Sequence, residues 1–170
     1  MMQFDATGFS GQEAAEAEWL PAPGACGEPG LDPSNEYVAL LRRTGLRPTR
    51  QRIALSSILF SKGNRHLTAE MLHAEAVAAR VPVSLATVYN NLHQFTQAGL
   101  IRQIAVDGSK AFFDTNPSDH HHFFLAGEHA LLDIPATDVM VGELPVPPDG
   151  YEIARVDVVV RLRRMRASAR

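Results

Sequence analysis

Apolar residues recur through the middle of the chain at helical spacing and predict helices in succession. Tyr37, Leu40 and Leu41 share one face behind Ser34, a candidate N-cap, and Gly45 stops that helix. Thr49 caps the next, which carries Ile53, Leu55, Ile58 and Leu59 and ends at Gly63-Asn64. Thr68 caps a third, with Leu67, Met71, Leu72 and Val77 as its buried stripe and Pro82 beyond its end. The fourth begins at Ser84; Leu85, Val88, Leu92 and Phe95 make its apolar face, and Gly99 terminates it. The pattern then turns to strands at 101–106 and 111–114, joined through Asp107-Gly108, a strong hairpin signal.

The flanks read differently. Residues 1–33 are punctuated by Pro and Gly and carry acids without bases, so they predict a disordered acidic tail. A second tract rich in Pro and Gly, 144–150, interrupts the C-terminal part. Residues 149–164 hold Tyr151, Ile153, Val156, Val158, Val159 and Val160, dense enough in β-formers for a strand. That strand is expected to join the one containing Phe123 in a sheet across which two chains associate.

Hydrophobic residues form 45% of the 170, enough for a core. No apolar run approaches the roughly 18 residues of a membrane span, and no basic-then-apolar leader opens the chain. No membrane partner is therefore expected, and a cytoplasmic protein is. Cys26 is the single cysteine, which excludes an intramolecular disulfide and a four-cysteine structural zinc. The net charge of -3 conceals segregation. Residues 1–36 have seven acids and no Lys or Arg; residues 37–113 have ten bases and three acids. A basic middle segment suits a polyanion, although charge alone fits a solvated face equally well.

The fourth helix narrows this. Its outer positions are Ser84, Thr87, Tyr89, Asn90, Asn91 and Gln94, which are polar, uncharged and rich in hydrogen-bonding groups. Base edges in the major groove offer donors, acceptors and thymine methyls, and such a face can read them. An ordinary amphipathic helix is the rival, but its outer face usually carries Glu and Lys. Arg42, Arg43, Arg47, Arg50 and Arg52 lie where phosphate contacts would fix register. Helices followed by a two-stranded ribbon give the order of a winged helix-turn-helix unit, expected over residues 34–115.

The stretches Leu46-Arg47-Pro48-Thr49-Arg50-Gln51-Arg52, His66-Leu67-Thr68-Ala69-Glu70 and Ser84-Leu85-Ala86-Thr87-Val88-Tyr89-Asn90 together resemble the ferric uptake regulator (Fur) family. Asn91-Leu92-His93-Gln94-Phe95 and the triplet His120-His121-His122 are most similar to its iron response regulator (Irr) branch. The resemblance covers about residues 40–135. It implies an α+β protein: the winged-helix domain, then a small α/β dimerisation and sensing domain at 116–170. It also implies a homodimer on an A/T-rich, roughly palindromic DNA operator controlling iron and haem metabolism genes. Arg47, Thr49, Arg50, Ser84, Thr87, Tyr89 and Asn90 are the expected DNA contacts.

The histidine triplet precedes Phe123-Phe124-Leu125 and so opens a strand, placing His120 and His122 on one face and His121 on the other. Ala126-Gly127-Glu128-His129 reads as a turn, with Gly127 at the first central position of type II′. Pairing Ala126 with His129 sets His122 opposite Asp133, about 4.5–5.5 Å apart at Cβ. A triplet by itself is as easily a solvated loop element; the opposed Asp133 makes it a candidate site. The family resemblance adds His66, at the start of a helix, and Asp114, at the end of the ribbon. Three imidazoles and two carboxylates suit Fe²⁺, Mn²⁺ or Zn²⁺. For His66 alone, a surface residue near a helix terminus is the rival.

The Irr branch also implies haem, through His120, His121 and His122, and with it a haem-delivering partner. Phe123 and Phe124 supply apolar surface. Cys26 is followed by Gly27, so a Cys-Pro haem motif is absent. Leu125 and Glu128 stand where relatives carry Cys-x-x-Cys, and Asp119 and His121 occur in the reverse of the usual order for a second metal site. A zinc- or manganese-responsive regulator of the same fold is the alternative. An enzyme is not expected, although a metal-dependent one using His120, His122 and Asp133 is the rival from another class.

Overall fold

The computed structural model describes residues 33–106 and 111–165. The expected acidic tail up to residue 32, Cys26 and the Asp107-Gly108 turn lie outside the described residues; Pro33, expected as the end of the tail, is already helical. Among the described residues there are four α-helices, α1 (Pro33–Arg43), α2 (Arg50–Phe60), α3 (Ala69–Ala78) and α4 (Leu85–Gln97), with a two-residue strand between α2 and α3. Thr49, Thr68 and Ser84 cap α2, α3 and α4 as expected, each hydroxyl accepting from the N–H three residues on. α1 begins at Pro33, so Ser34 is inside it rather than at its cap; proline at a first helical position has no N–H to lose.

The helix ends are closed by left-handed residues. Gly45 (φ +75°) and Gly99 (φ +70°) follow α1 and α4, and the next residues, Leu46 and Leu100, donate back to the carbonyls of Leu41 and Phe95. α3 closes the same way through Arg80 at φ +56°, a conformation strained for a residue with Cβ. Leu41, Leu55, Leu59, Leu72, Val88 and Phe95 are fully buried where the helices meet. Met71 and Val77, expected in the stripe of α3, are exposed. The face that packs is Ala69, Leu72 and Ala76, spaced three and four apart; the small alanines hid it from a reading by side-chain size.

Two three-stranded sheets follow. In the first, β1 (His66–Leu67), β2 (Arg102–Ala105) and β3 (Ala111–Asp114) lie in the order β1-β3-β2. β1 was not expected, since two residues show no period. It places His66 on a strand opposite Asp114 rather than at a helix start. In the second, β4 (His120–Leu125), β5 (Ala130–Pro135) and β6 (Val159–Leu162) lie in the order β5-β4-β6. β4 and β5 pair antiparallel with His122 opposite Asp133, the register expected.

The turn between them is not type II′. Gly127 has no positive φ; His129 does (+48°), and the N–H of Glu128 donates to the carbonyl of Leu125. The last pair is Leu125 with Ala130. Both strands stop one residue earlier than expected, which leaves the register unchanged. The strand expected over 149–164 is only β6, parallel to β4 with Val159 beside His122. In that register, residues before about 157 run past the start of β4 and find no ladder. The described residues after Asn116 hold no α-helix, only a 3₁₀ turn at Ala136–Asp138, so this half is β rather than the expected α/β. Pro145, Pro147 and Pro148 forbid a continuous helix in the connection to β6.

Strand alternation decides what lies between the sheets. On β3, Phe113 joins the helical core while Phe112 faces the second sheet. There it meets Ile104, Val106, Phe124, Leu131 and the half-buried Val159, with the Phe112 and Phe124 rings edge to face at 6.1 Å. The expected boundary after Thr115 is thus crossed by a shared apolar cluster. Phe124→Ala should lower stability by ~3–5 kcal/mol, read as a shift of the denaturant midpoint followed by probes in both halves. A loss confined to the second half would show that the cluster does not couple the sheets.

Candidate metal centre

The same alternation that puts Phe112 and Phe124 between the sheets puts polar residues there one step along. Asp114 follows Phe112 by two on β3, and His122 and His120 precede Phe124 by two and four on β4. His66 enters from β1, beside Asp114, and Asp133 from β5, beside His122. Donor atoms of His66, His120, His122 and Asp133 all lie within 4.8 Å of one another. His66 Nε2 is 2.9 Å from Asp133 Oδ1, and His120 and His122 Nε2 are 3.5 and 3.9 Å from the same oxygen. Asp114 is not one of that foursome, but its Oδ2 is 2.9 Å from His120 Nε2 and 3.5 Å from His122 Nε2. All five residues expected to form a site are therefore brought together.

The cluster is nearly dry. Asp114 is fully buried, His122 is 1% exposed and His120 5%; Asp133 is the exposed member. Burial pushes the Asp114 carboxyl up, but the imidazole of His122, the N–H of Asn116 and the neighbouring His66 and His120 outweigh it and hold the group below the ordinary carboxylate value. Burial lowers the pKa of His66; Asp114 and Asp133 oppose that and the other imidazoles add to it. The Nε2 atoms of His66, His120 and His122 and the Oδ2 of Asp114 make no properly directed hydrogen bond. Buried polar atoms without partners are costly, and here four of them converge. A divalent cation fits this donor set of nitrogen and oxygen.

His120 Nδ1 is 2.9 Å from the carbonyl of Ser118. A carbonyl only accepts, so Nδ1 carries the proton and Nε2 presents a lone pair to the cluster. His121 points the other way and is buried at 9% exposure, its Nδ1 accepting from the N–H of Val158. None of the three rings of the triplet is exposed. Asp119 is exposed and paired with Arg155.

The expected DNA contacts form a separate surface. Arg47, Thr49, Arg50, Ser84, Tyr89 and Asn90 are exposed, and Thr87 is half-buried. Tyr89 donates from its hydroxyl to Glu70 on α3 at 2.8 Å. Asn91 departs from the expected outer face: it is buried, donates to the carbonyl of Thr87 and accepts from Arg52. Arg52 also binds Gln94, so it ties α2 to α4 instead of projecting outward. Arg65 and Arg102, which the sequence showed only as positive charges, prove to hold the site's strands. Arg65 bridges Glu75 and the carbonyl of Ile58, and its N–H donates to Thr115.

A model of the family described as "Ferric uptake regulator family" matches residues 43–130. A ferric uptake regulation protein of Mycolicibacterium fortuitum is 35% identical over 137 residues, 76% of this chain and 78% of that protein. One from Bordetella parapertussis is 40% identical over 81 residues, 48% of this chain; the match spans 58% of that relative's length. Among solved structures, the ferric uptake regulator from Pseudomonas aeruginosa with manganese superposes with a TM-score of 0.59 at 26% identity, covering 75% of this chain and 97% of that one.

The site carries its own pH signature. His66 titrates below its ordinary 6.5 when folded, so between 6.5 and that lower value the unfolded chain binds a proton that the folded one does not, and stability is lost as the pH falls through that window. Asp114, held below 3.8, gives stability that is present above 3.8 and lost on further acidification. Metal-free protein should therefore melt at progressively lower temperature from about pH 6.5 downward, and His66→Gln should flatten the upper part of that profile. Parallel profiles for the two proteins would refute the assignment to His66.

Proposed function

The chain belongs to the ferric uptake regulator family, and from that premise we propose that it is a DNA-binding transcriptional regulator whose operator affinity depends on a divalent metal held by His66, Asp114, His120, His122 and Asp133. One observation carries the proposal: the convergence of imidazole nitrogens and carboxylate oxygens at the junction of the two sheets. Residues 34–115 act as a winged helix-turn-helix reader and residues 116–170 as the dimerisation and sensing half. The positive charge supplied by a bound ion would satisfy all five groups at once. Mn²⁺, Fe²⁺ and Zn²⁺ each suit them.

The chain's own residues connect that site to the reader. His66 stands two residues before Thr68, the cap of α3. Fixing His66 against β4 and β5 therefore fixes the start of α3, and with it α4, relative to the second sheet. α4 enters the major groove with Ser84, Thr87, Tyr89 and Asn90 toward the bases, while Arg47, Thr49 and Arg50 hold phosphates. A second copy covers the apolar residues left exposed beyond β5, Met140, Val146, Tyr151 and Ile153 among them. The operator mirrors the dimer's symmetry. The motifs similar to the Irr branch carry the narrower reading, that the targets are iron and haem metabolism genes. Haem, delivered to His120 or His122, would have to take a ligand from the metal cluster and so would compete with the ion. The matched relatives are regulators by name, in line with a cluster that serves sensing rather than catalysis.

Gel shifts on genomic fragments with and without Mn²⁺ test the core of this reading; equal binding in both sinks it. Calorimetric titration of Mn²⁺ should show binding to wild type and its loss in both His66→Ala and His122→Ala; retained affinity in His66→Ala would mean that the site does not bridge the halves.

On DNA, Tyr89→Ala should relax base preference at a cost of ~1–3 kcal/mol, whereas Arg50→Ala should weaken all sequences alike and flatten the salt dependence. An unaltered operator preference in Tyr89→Ala would remove α4 from the groove. Truncation before Tyr151 should give a monomer by light scattering, and a truncated chain that stays dimeric would displace the interface from this region.

A further inference from the structure

The carbonyl of Ser118 is contacted by three donors. His120 Nδ1 lies 2.9 Å from it, Arg102 Nη1 also 2.9 Å, and Arg155 Nη2 3.4 Å. Arg102 comes from β2 in the first sheet, and its other nitrogen, Nη2, holds Asp157, just ahead of β6 in the second. Asp157 is steadied in turn by Arg155 Nε at 2.9 Å. The Arg102 side chain is only 11% exposed, so its charge is spent inside this junction and not on the surface.

These contacts set up a competition that decides how His120 is protonated. Arg102 Nη1 also lies 3.4 Å from His120 Nδ1. A guanidinium only donates, so bonding there would require a bare Nδ1 and would put the proton on Nε2, facing the cluster. The carbonyl of Ser118 requires the opposite. The two 2.9 Å contacts satisfy both donors on one oxygen, and a carbonyl has two lone pairs to receive them. Arg102 is thereby drawn off the ring, and the ring nitrogen donates to the oxygen that Arg102 holds in place.

We propose that Arg102 is a positioning residue of the metal centre: clamped by Asp157, it fixes the Ser118 carbonyl that selects the Nδ1–H tautomer of His120 and so aims the Nε2 lone pair at the ligand cluster. This rests on reading that cluster as a metal site. A ligand imidazole usually has its second nitrogen tied to a carbonyl or carboxylate, and loss of such a partner typically weakens metal binding about 10–100-fold. Here the tie is itself held from the other sheet, so the orientation of one ligand depends on β2 staying packed beside β6.

The test compares full-length wild type, Arg102→Met, Arg102→Lys and Asp157→Asn, with Co²⁺ as the probe. In metal-free protein, long-range ¹H–¹⁵N NMR reads the His120 tautomer directly. Wild type should show Nδ1–H, and Arg102→Met a mixture with Nε2–H. Co²⁺ affinity should fall by about 10–100-fold in Arg102→Met, with a changed visible absorption spectrum. Arg102→Lys should be intermediate, since one ammonium reaches either Ser118 or Asp157. Asp157→Asn, a change at a half-exposed side chain that leaves the guanidinium present, should weaken binding in the same direction by less; it carries the test if Arg102→Met is poorly folded by circular dichroism. Variants that keep the wild-type tautomer, spectrum and affinity overturn this inference alone. A wild type that binds no Co²⁺ overturns the metal reading itself and this inference with it.

Discussion

A carboxylate and three imidazoles packed between two sheets form the constraint on which the rest of this protein depends. Removing such groups from water costs several kcal/mol apiece unless each finds a partner. Asp114 finds one for a single oxygen, through the N–H of Asn116 at 2.8 Å. Its other oxygen meets the imidazole nitrogens of His120 and His122, which also face Asp133, at ion-pair distances and without hydrogen-bond geometry. A cluster of that kind is a poor way to stabilise a fold and a good way to make the fold answer to a cation.

The apolar neighbours make the arrangement tolerable. Phe112, Phe124, Ile104 and Leu131 hold the sheets together next to the polar patch, and the guanidinium of Arg161 lies over the Phe124 ring, 5.7 Å from its centroid. The interface between the halves therefore has an apolar part and a polar part, side by side on the same strands. Burial of aromatic and aliphatic surface holds the sheets in contact. Occupancy of the polar part would change how firmly His66 is held, and hence the pose of α3 and α4, rather than whether the halves meet at all.

Around the junction, arginines do work that their charge alone does not reveal. Arg52 joins α2 to α4 through Asn91, Arg65 joins β1 to α3 through Glu75, and Arg102 joins β2 to Ser118 and Asp157. Each guanidinium bridges two elements because its planar fork donates in several directions at once. The basic balance of residues 37–113 is thus divided between fold and surface. Arg47 and Arg50 remain exposed, while part of the positive count is turned inward.

Local chemistry was legible in the chain because it acts over a few residues. Caps at Thr49, Thr68 and Ser84, stops at Gly45 and Gly99, and the apolar face of α4 all follow from i to i+4 relations. The register setting His122 opposite Asp133 could be read because a hairpin fixes pairing through its own turn, and it survived an error in the turn type. What the chain could not announce depended on partners distant in sequence. β1 exists only because Asp114 and Phe113 lie beside His66 and Leu67, and β6 exists only where it runs beside His122 to Leu125 of β4. His66 and Asp114 were suggested by resemblance alone; no periodicity links residues so far apart in the chain. The inward turn of Asn91 and Arg52, and the hold of Arg102 on the Ser118 carbonyl, were decided by which faces the tertiary packing excluded from water.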